Sequence, residues 1–352
     1  MSRDPFLADT EGLDPRGAAR ILAEFPSQCR QALALSASPP LSRASLRHVV
    51  VAGMGGSAVC GDLVSALASD RLPVPVTVWR GYGAPASVGP GTLVVAVSYS
   101  GATEETISTL EAALGRGATA AVLTSGGALA ALAQERGLPL VRLPAGLLPR
   151  LALGYLFFPL LGLLESAGLL LAQAPERDEA LRELELMGKE LGPERADADN
   201  EAKRLALALR GRIPVIYGSG LTAVAAYRWK TEVEEIAKLL AFHGYIPEAD
   251  HNEIEGWRDP LAAGFHAVFL RDPEDDAIAI RARLTGELIR ARAGGVTEVW
   301  PRGRGRLARL LSLIYLGDWV SYYLALLRGV DPWPVPAIEE VKRRLRAAKS
   351  RR

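Results

Sequence analysis

A chain of 352 residues exceeds the usual size of one domain, so two domains, each burying its own core, are expected. Hydrophobic residues at 49% and charged residues at 23% lie near the averages for globular enzymes, which argues against disorder and against a fibrous architecture. A formal net charge of +1 shows no basic excess for nucleic acid, and the basic run from Lys342 to Arg352 reads as a solvated helix end.

Met1 to Glu24 places Asp4, Asp9, Glu11 and Asp14 ahead of any apolar run, the reverse of a secretory leader, and this segment is taken as part of a helical extension over 1–44. Cys29 and Cys60 stand in no Cys-x-x-Cys or Cys/His cluster, so neither a disulfide framework nor a metal site is expected, and a reducing cytoplasm fits. His48 to Ala52 is a β-branched run that enters Gly53-Met-Gly-Gly-Ser57, followed by helical spacing from Ala58 to Ala68. Val74 to Trp79 and Leu93 to Val97 repeat the strand signal; the second enters Ser98-Tyr-Ser-Gly-Ala-Thr103 and a helix through Leu114. Thr119 to Leu123 is a further strand, with Gly126 and Gly127 before the next helix. Leu151 to Leu171 is the most apolar stretch, but Pro159 and Glu165 interrupt it, so it predicts a core helix rather than a membrane crossing.

Residues 173–212 turn charged and helical, with Pro175 and Pro193 as punctuation, and are taken as a connection between a first domain at 45–172 and a second at 213–352. The second opens on Ile213 to Tyr217, then Gly218-Ser-Gly-Leu-Thr-Ala223 and a long helix, the same order and chemistry as the turn at Gly53. Strands follow at His266 to Leu270 and Val296 to Trp300, and an apolar helix at Leu307 to Leu327. Strands alternating with helices predict parallel sheets covered on both faces, and two copies of strand, glycine turn and helix predict a duplicated doubly wound α/β fold.

A glycine turn opening a helix presents backbone N–H groups at the positive end of the helix dipole, which suits an anion. Both turns also fit Gly-x-Gly-x-x-Ala, the loose dinucleotide pattern, although Arg80 ends the strand where an acidic ribose ligand would be wanted. Ser98, Ser100 and Thr103, with Ser57 on the neighbouring turn, form a cup of hydroxyls and N–H groups suited to a phosphate monoester. The plainer alternative is that Ser100 or Thr103 caps the following helix.

Together Gly53-Met-Gly-Gly-Ser57 with Gly61-Asp62, Val97 to Thr106, Pro149-Arg150, Glu235-Ile-Ala-Lys238 and His251-Asn-Glu-Ile254 resemble the bifunctional phosphoglucose/phosphomannose isomerase family, in order from about His48 to about Lys342. The resemblance implies two sugar isomerase (SIS) domains and interconversion of glucose 6-phosphate, and of mannose 6-phosphate, with fructose 6-phosphate, without metal or redox cofactor. It implies that Gly55, Gly56, Ser57, Ser98, Ser100 and Thr103 hold the phosphoryl group. Glu235 becomes the carbon base, His251 the ring-opening group reaching in from the neighbouring subunit of a homodimer, Lys342 its assistant, and Arg150 the cation beside the enediolate. Without the resemblance, Glu235 and Lys342 read as solvated helix charges. His251 lies in too polar a segment to be a core histidine.

Several family positions differ. Ala102, Glu234, Ile236 and Asp250 stand where asparagine is usual, and Trp333 where threonine is common. Extra carboxylates beside the base are expected to raise its pKa, and Trp333 bears on whether both C2 epimers are accepted. Two rival readings remain: a non-catalytic sugar-phosphate sensor, and an NADP oxidoreductase using Arg80. His251-x-Glu253 starts a zinc deaminase signature, but its downstream cysteine pair is missing.

Overall fold

Two parallel sheets form the frame of the chain in the computed structural model, which describes residues 6, 10–41 and 45–349. Asp4, Asp9 and Arg43 of the extension, and Arg351 and Arg352 of the basic tail, lie outside the described residues. Three short helices, α1 (Thr10–Leu13), α2 (Ala18–Ala23) and α3 (Phe25–Ala32), precede the first sheet. Its strands are β1 (His48–Ala52), β2 (Val76–Trp79), β3 (Thr92–Val97), β4 (Thr119–Thr124) and β5 (Leu140–Arg142), ordered β2-β1-β3-β4-β5 with every pair parallel. Helices α4 (Gly56–Ala68), α5 (Glu104–Gly115) and α6 (Gly127–Glu135) run between these strands. The helices α7 (Leu153–Ser166), α8 (Ala174–Leu191) and α9 (Glu201–Leu209) follow.

The second sheet takes β6 (Ile213–Gly218), β7 (Phe242–Tyr245), β8 (Phe265–Leu270) and β9 (Gly295–Val299) in the order β7-β6-β8-β9, again all parallel. Helices α10 (Gly220–Ala237), α11 (Glu253–Gly256) and α12 (Asp276–Arg290) interleave with it, and α13 (Arg306–Leu327) and α14 (Pro336–Lys349) close the chain. Strand for strand, β7-β6-β8-β9 repeats β2-β1-β3-β4, so the resemblance of the two glycine turns extends to the winding of the sheets. Parallel strands need crossover helices that cover both faces, which is why β3, Thr-Leu-Val-Val-Ala-Val, is buried along its whole length.

Two short edge strands, β5 and β7, carry too little β-branched sequence to be anticipated. Phe-His-Gly-Tyr at β7 becomes a strand because β6 beside it offers a free edge, with Val215 opposite Phe242 and Gly218 opposite Tyr245. The apolar stretch after Leu151 forms α7, which is buried and continues through Pro159. The longest apolar helix is α13; it is long and apolar enough to cross a membrane, yet 94% of its most apolar window is buried inside the protein. A helix apolar all round belongs in a core. There α13 packs against α8, α9 and α10, and Trp319 meets the rings of Tyr315, Tyr322 and Tyr323. One hydrophobic cluster thereby runs from β1 and β3 through α7 and α8 to α10 and α13.

The α10–α13 crossing depends on a small residue. Trp229 on α10 donates its indole N–H to Leu313 O at 2.7 Å, and a Cβ on Gly317 of α13 would overlap that indole. Gly317→Ala is therefore expected to destabilise the protein by roughly 1–3 kcal/mol through overpacking, read from the denaturant midpoint at unchanged slope. An unchanged midpoint would show that the indole has room to move.

Candidate active site

The first glycine turn is shaped by two close approaches and one left-handed backbone position. A Cβ on Gly53 would stand 2.9 Å from Val97 O, so the turn leaving β1 packs directly on β3. Gly55 has φ 51, a left-handed conformation that disfavours a side chain. Gly56 faces the backbone of Pro149 and Arg150, which a Cβ would meet at 3.1–3.2 Å. The N-terminus of α4, with its outward N–H groups, thus opens beside the turn that carries Arg150.

Ser57 is buried, and its Oγ accepts the Tyr99 N–H at 3.1 Å, tying this turn to the loop after β3. In that loop Ser98 Oγ accepts from Gly101 N at 3.1 Å and shares a 2.8 Å hydrogen bond with Thr103 Oγ1. Gly101 has φ 67, and a Cβ there would overlap Gly126 O, so the loop closes against the turn after β4. Thr103 occupies the N-cap position of α5, but its side chain makes no capping bond, so its hydroxyl serves the cluster instead. Ser100 is exposed at the rim, where its Oγ accepts from Ala102 N at 3.4 Å.

The second glycine turn has the opposite character. Ser219 and Thr222 form a reciprocal capping box, and Thr222 Oγ1 donates to Leu270 O at 3.0 Å. Ser219 Oγ lies 3.4 Å from Asp275 Oδ2, and Asp272 and Asp275 line the small pocket in front of it. Its hydroxyls are spent internally, and Arg271 lines the pocket together with the two acids.

Arg150 lies in a 3-10 turn, Pro149–Leu151, and is only 3% exposed. Its Nη1 stands 3.5 Å from Glu235 Oε2, and Nη2 donates to Pro332 O at 3.0 Å and to Trp333 O. Burial pulls its pKa down, against the opposing pull of Glu232 and Glu235. Glu235 sits in the last turn of α10, which ends at Lys238 in a left-handed conformation, φ 54. Lys238 Nζ folds back to donate to Glu235 O at 2.6 Å and reaches Pro332 O at 3.5 Å, satisfying the helix end with its own next cation. Burial, then the nearby Arg150 charge, pushes the Lys238 ammonium down to about 8.

Beneath this pair lies a buried ionic group. Arg228, 1% exposed, pairs with Glu232 one turn along α10 at 2.6 Å and with Asp318 of α13 at 3.3 Å. Its Nη2 also donates to Arg150 O at 2.6 Å. Burial raises the Glu232 carboxyl well above the usual range and Asp318 to about 6, both against the pull of Arg228.

Among the residues expected in the site, Arg150 stands against Glu235, and the first glycine turn packs on the Arg150 turn at Gly56 and bonds through Ser57 to the loop of the hydroxyl cluster. His251 is exposed at the end of a 3-10 turn, Glu248–His251, and Lys342 is exposed on α14; among the described residues no hydrogen bond or ion pair joins either to Glu235 or Arg150. The departures from the family pattern are absorbed locally. Glu234 pairs with Lys230 at 2.7 Å, Ile236 is buried in the core, and Asp250 accepts from Thr285 Oγ1 at 2.6 Å. The Trp333 ring carries the Arg16 guanidinium 5.8 Å from its centroid. Arg80 pairs with Asp62 and lies over Tyr227, and is thus already engaged; this group borders a separate groove of about 560 Å³ between α4 and α10 that also takes in His243 and Tyr245. Among the described residues no group of three or more His, Cys, Asp or Glu side chains is arranged to hold a metal.

Comparison with known proteins follows from this geometry. Residues 198–345 match the bacterial phospho-glucose isomerase C-terminal SIS domain. A bifunctional phosphoglucose/phosphomannose isomerase of Caldicellulosiruptor bescii is 42% identical over 301 residues, spanning 84% of this chain and 89% of that protein. The enzyme of the same name from Thermoplasma acidophilum is 36% identical, spanning 85% and 89%. A crystal structure of a glucose-6-phosphate isomerase like protein from Thermus thermophilus superposes with a TM-score of 0.62 at 24% identity, over 94% of this chain and 95% of that one, a likeness of fold.

Ser98→Ala removes both the acceptor of Gly101 N and the partner of Thr103. Affinity for a hexose 6-phosphate, measured by calorimetry, is expected to fall about tenfold or more, as for loss of a hydrogen bond to a charged group. Ser100→Ala, at the exposed rim, is expected to cost less.

Proposed function

Because the chain belongs to the bifunctional phosphoglucose/phosphomannose isomerase family and is an isomerase of the intramolecular oxidoreductase class, we propose that it interconverts glucose 6-phosphate, and mannose 6-phosphate, with fructose 6-phosphate through a cis-enediolate. The observation that carries this reading is the approach of Glu235 Oε2 to Arg150 Nη1, 3.5 Å apart, with the Arg150 turn packed on the first glycine turn at Gly56. Isomerisation needs a base that takes the C2 proton of the open-chain aldose and returns it to C1, and a cation where negative charge develops on oxygen. Glu235 is the base and Arg150 the cation. The phosphoryl group lies against the N–H groups of Gly55 and Gly56 and the hydroxyls of Ser57, Ser98, Ser100 and Thr103.

Among the described residues no histidine is hydrogen-bonded to Glu235 or Arg150. His251 is exposed on its 3-10 turn with a free approach from outside, which supports its supplying the ring-opening acid to the site of a second copy in a homodimer, with Lys342 beside it. An imidazole titrates near neutrality and can both give and take the ring-oxygen proton. The enediolate charge is met by Arg150 rather than by a metal, so chelator-treated protein is expected to keep its activity.

Glu235→Gln should lower kcat by roughly 100-fold to 10,000-fold while leaving sugar-phosphate binding in place. Normal turnover by that variant would remove Glu235 from the role of base. Mixing and re-annealing Glu235→Gln with His251→Ala subunits tests the shared site: mixed dimers carry one intact site each, so activity should return to about a quarter of wild type. No recovery in demonstrably mixed dimers would place His251 in its own subunit's site or in none.

A further inference from the structure

Arg228 has no place in the chemistry proposed above, yet it touches everything that holds the site together. Its guanidinium is closed off from water, and it bonds Glu232 on its own helix, Asp318 on α13 and the carbonyl of Arg150 in the other half of the chain. That carbonyl belongs to the 3-10 turn Pro149–Leu151, ahead of the first regular turn of α7. The rest of the turn is held in the same manner from outside: Gln28 donates to Leu151 O at 2.9 Å and accepts from Gly154 N at 2.7 Å. The backbone carrying Arg150 is therefore positioned by side chains, and Arg228 is the one that reaches it from the helix bearing Glu235.

We infer that Arg228 is a positioning residue for the isomerisation: it fixes the main chain of Arg150 so that the Arg150 guanidinium stands against Glu235. This rests on the isomerase reading above. Fold stability alone does not call for such a group, since well-packed apolar residues replace buried ion pairs with little loss. An apolar residue would, however, leave Arg150 O without its donor and free the turn to rotate. Counter-charge is also arranged for the purpose. Arg228 has two buried carboxylates to answer, Glu232 and Asp318, with the buried Arg150 nearby as a second cation. Burial raises the Glu232 carboxyl well above its ordinary range, against the pull of Arg228 2.6 Å away.

Arg228→Lys keeps a cation but not the reach to three partners. It is expected to lower kcat by about tenfold to a hundredfold, as small displacements of reacting groups do, with KM for fructose 6-phosphate within about threefold because the phosphate cradle is untouched. A folded Arg228→Lys enzyme with wild-type kcat, or one changed in KM alone, overturns the inference. Should that variant not fold, Asp318→Asn decides: a lower kcat at unchanged KM supports it, and an unchanged kcat overturns it. Wild-type protein that interconverts no hexose phosphate sinks the isomerase reading instead. In that case a crystal structure of Arg228→Lys still tests the geometry, since Arg150 must have left Glu235 for the inference to stand.

Discussion

A guanidinium sealed from water must find its counter-charges inside the protein, and Arg228 finds them on α10 and on α13. This requirement fixes how the second half of the chain presents itself to the first. With Arg228 anchored, the last turn of α10 lies under the 3-10 turn of Arg150, and Glu235 emerges at their junction. The loop at Pro332 and Trp333 closes over the same point because its carbonyls accept from Arg150 and Lys238. The junction is thus built from main-chain carbonyls and buried cations, an arrangement that tolerates little displacement of either half.

Duplication supplied two similar units, and the two glycine turns show how they diverged. Both lead from the first strand of a sheet into a helix, yet the first ties itself through Ser57 to the loop that carries Ser98 and Thr103 while the second turns its hydroxyls inward and has Asp272, Asp275 and Arg271 around the pocket in front. The second unit contributes its helix end rather than its helix start, so the candidate site is assembled from opposite ends of corresponding helices, α4 and α10.

Much of the frame was legible in the sequence because β-branched runs and glycine turns report local geometry directly. The strands at His48, Leu93, Ile213 and His266, and the helices after each glycine turn, appear within a few residues of their expected bounds. Capping was a fair alternative for Thr103, and only the three-dimensional loop shows its hydroxyl committed to Ser98. What the sequence concealed is the ionic layer. Arg228, Glu232 and Glu235 share one helix with Lys230 and Glu234, where the i, i+4 pairs 228/232 and 230/234 make the whole row look like solvated surface charges. The signal that could have exposed them is Asp318, a lone acid amid the apolar α13, which had to be paired somewhere. Edge strands β5 and β7 were hidden for another reason: a neighbouring strand's open hydrogen-bonding edge, not their own residues, makes them strands.

The burial of α13 has a kinetic implication. Two-domain enzymes often admit and release ligand by hinging one domain away from the other about a wet, modest interface. Here the inner helix of the second half is sunk into helices that precede the second sheet, so the halves cannot part without tearing open a dry core. Admission and release of ligand then fall to small segments at the rim rather than to any swing of whole domains.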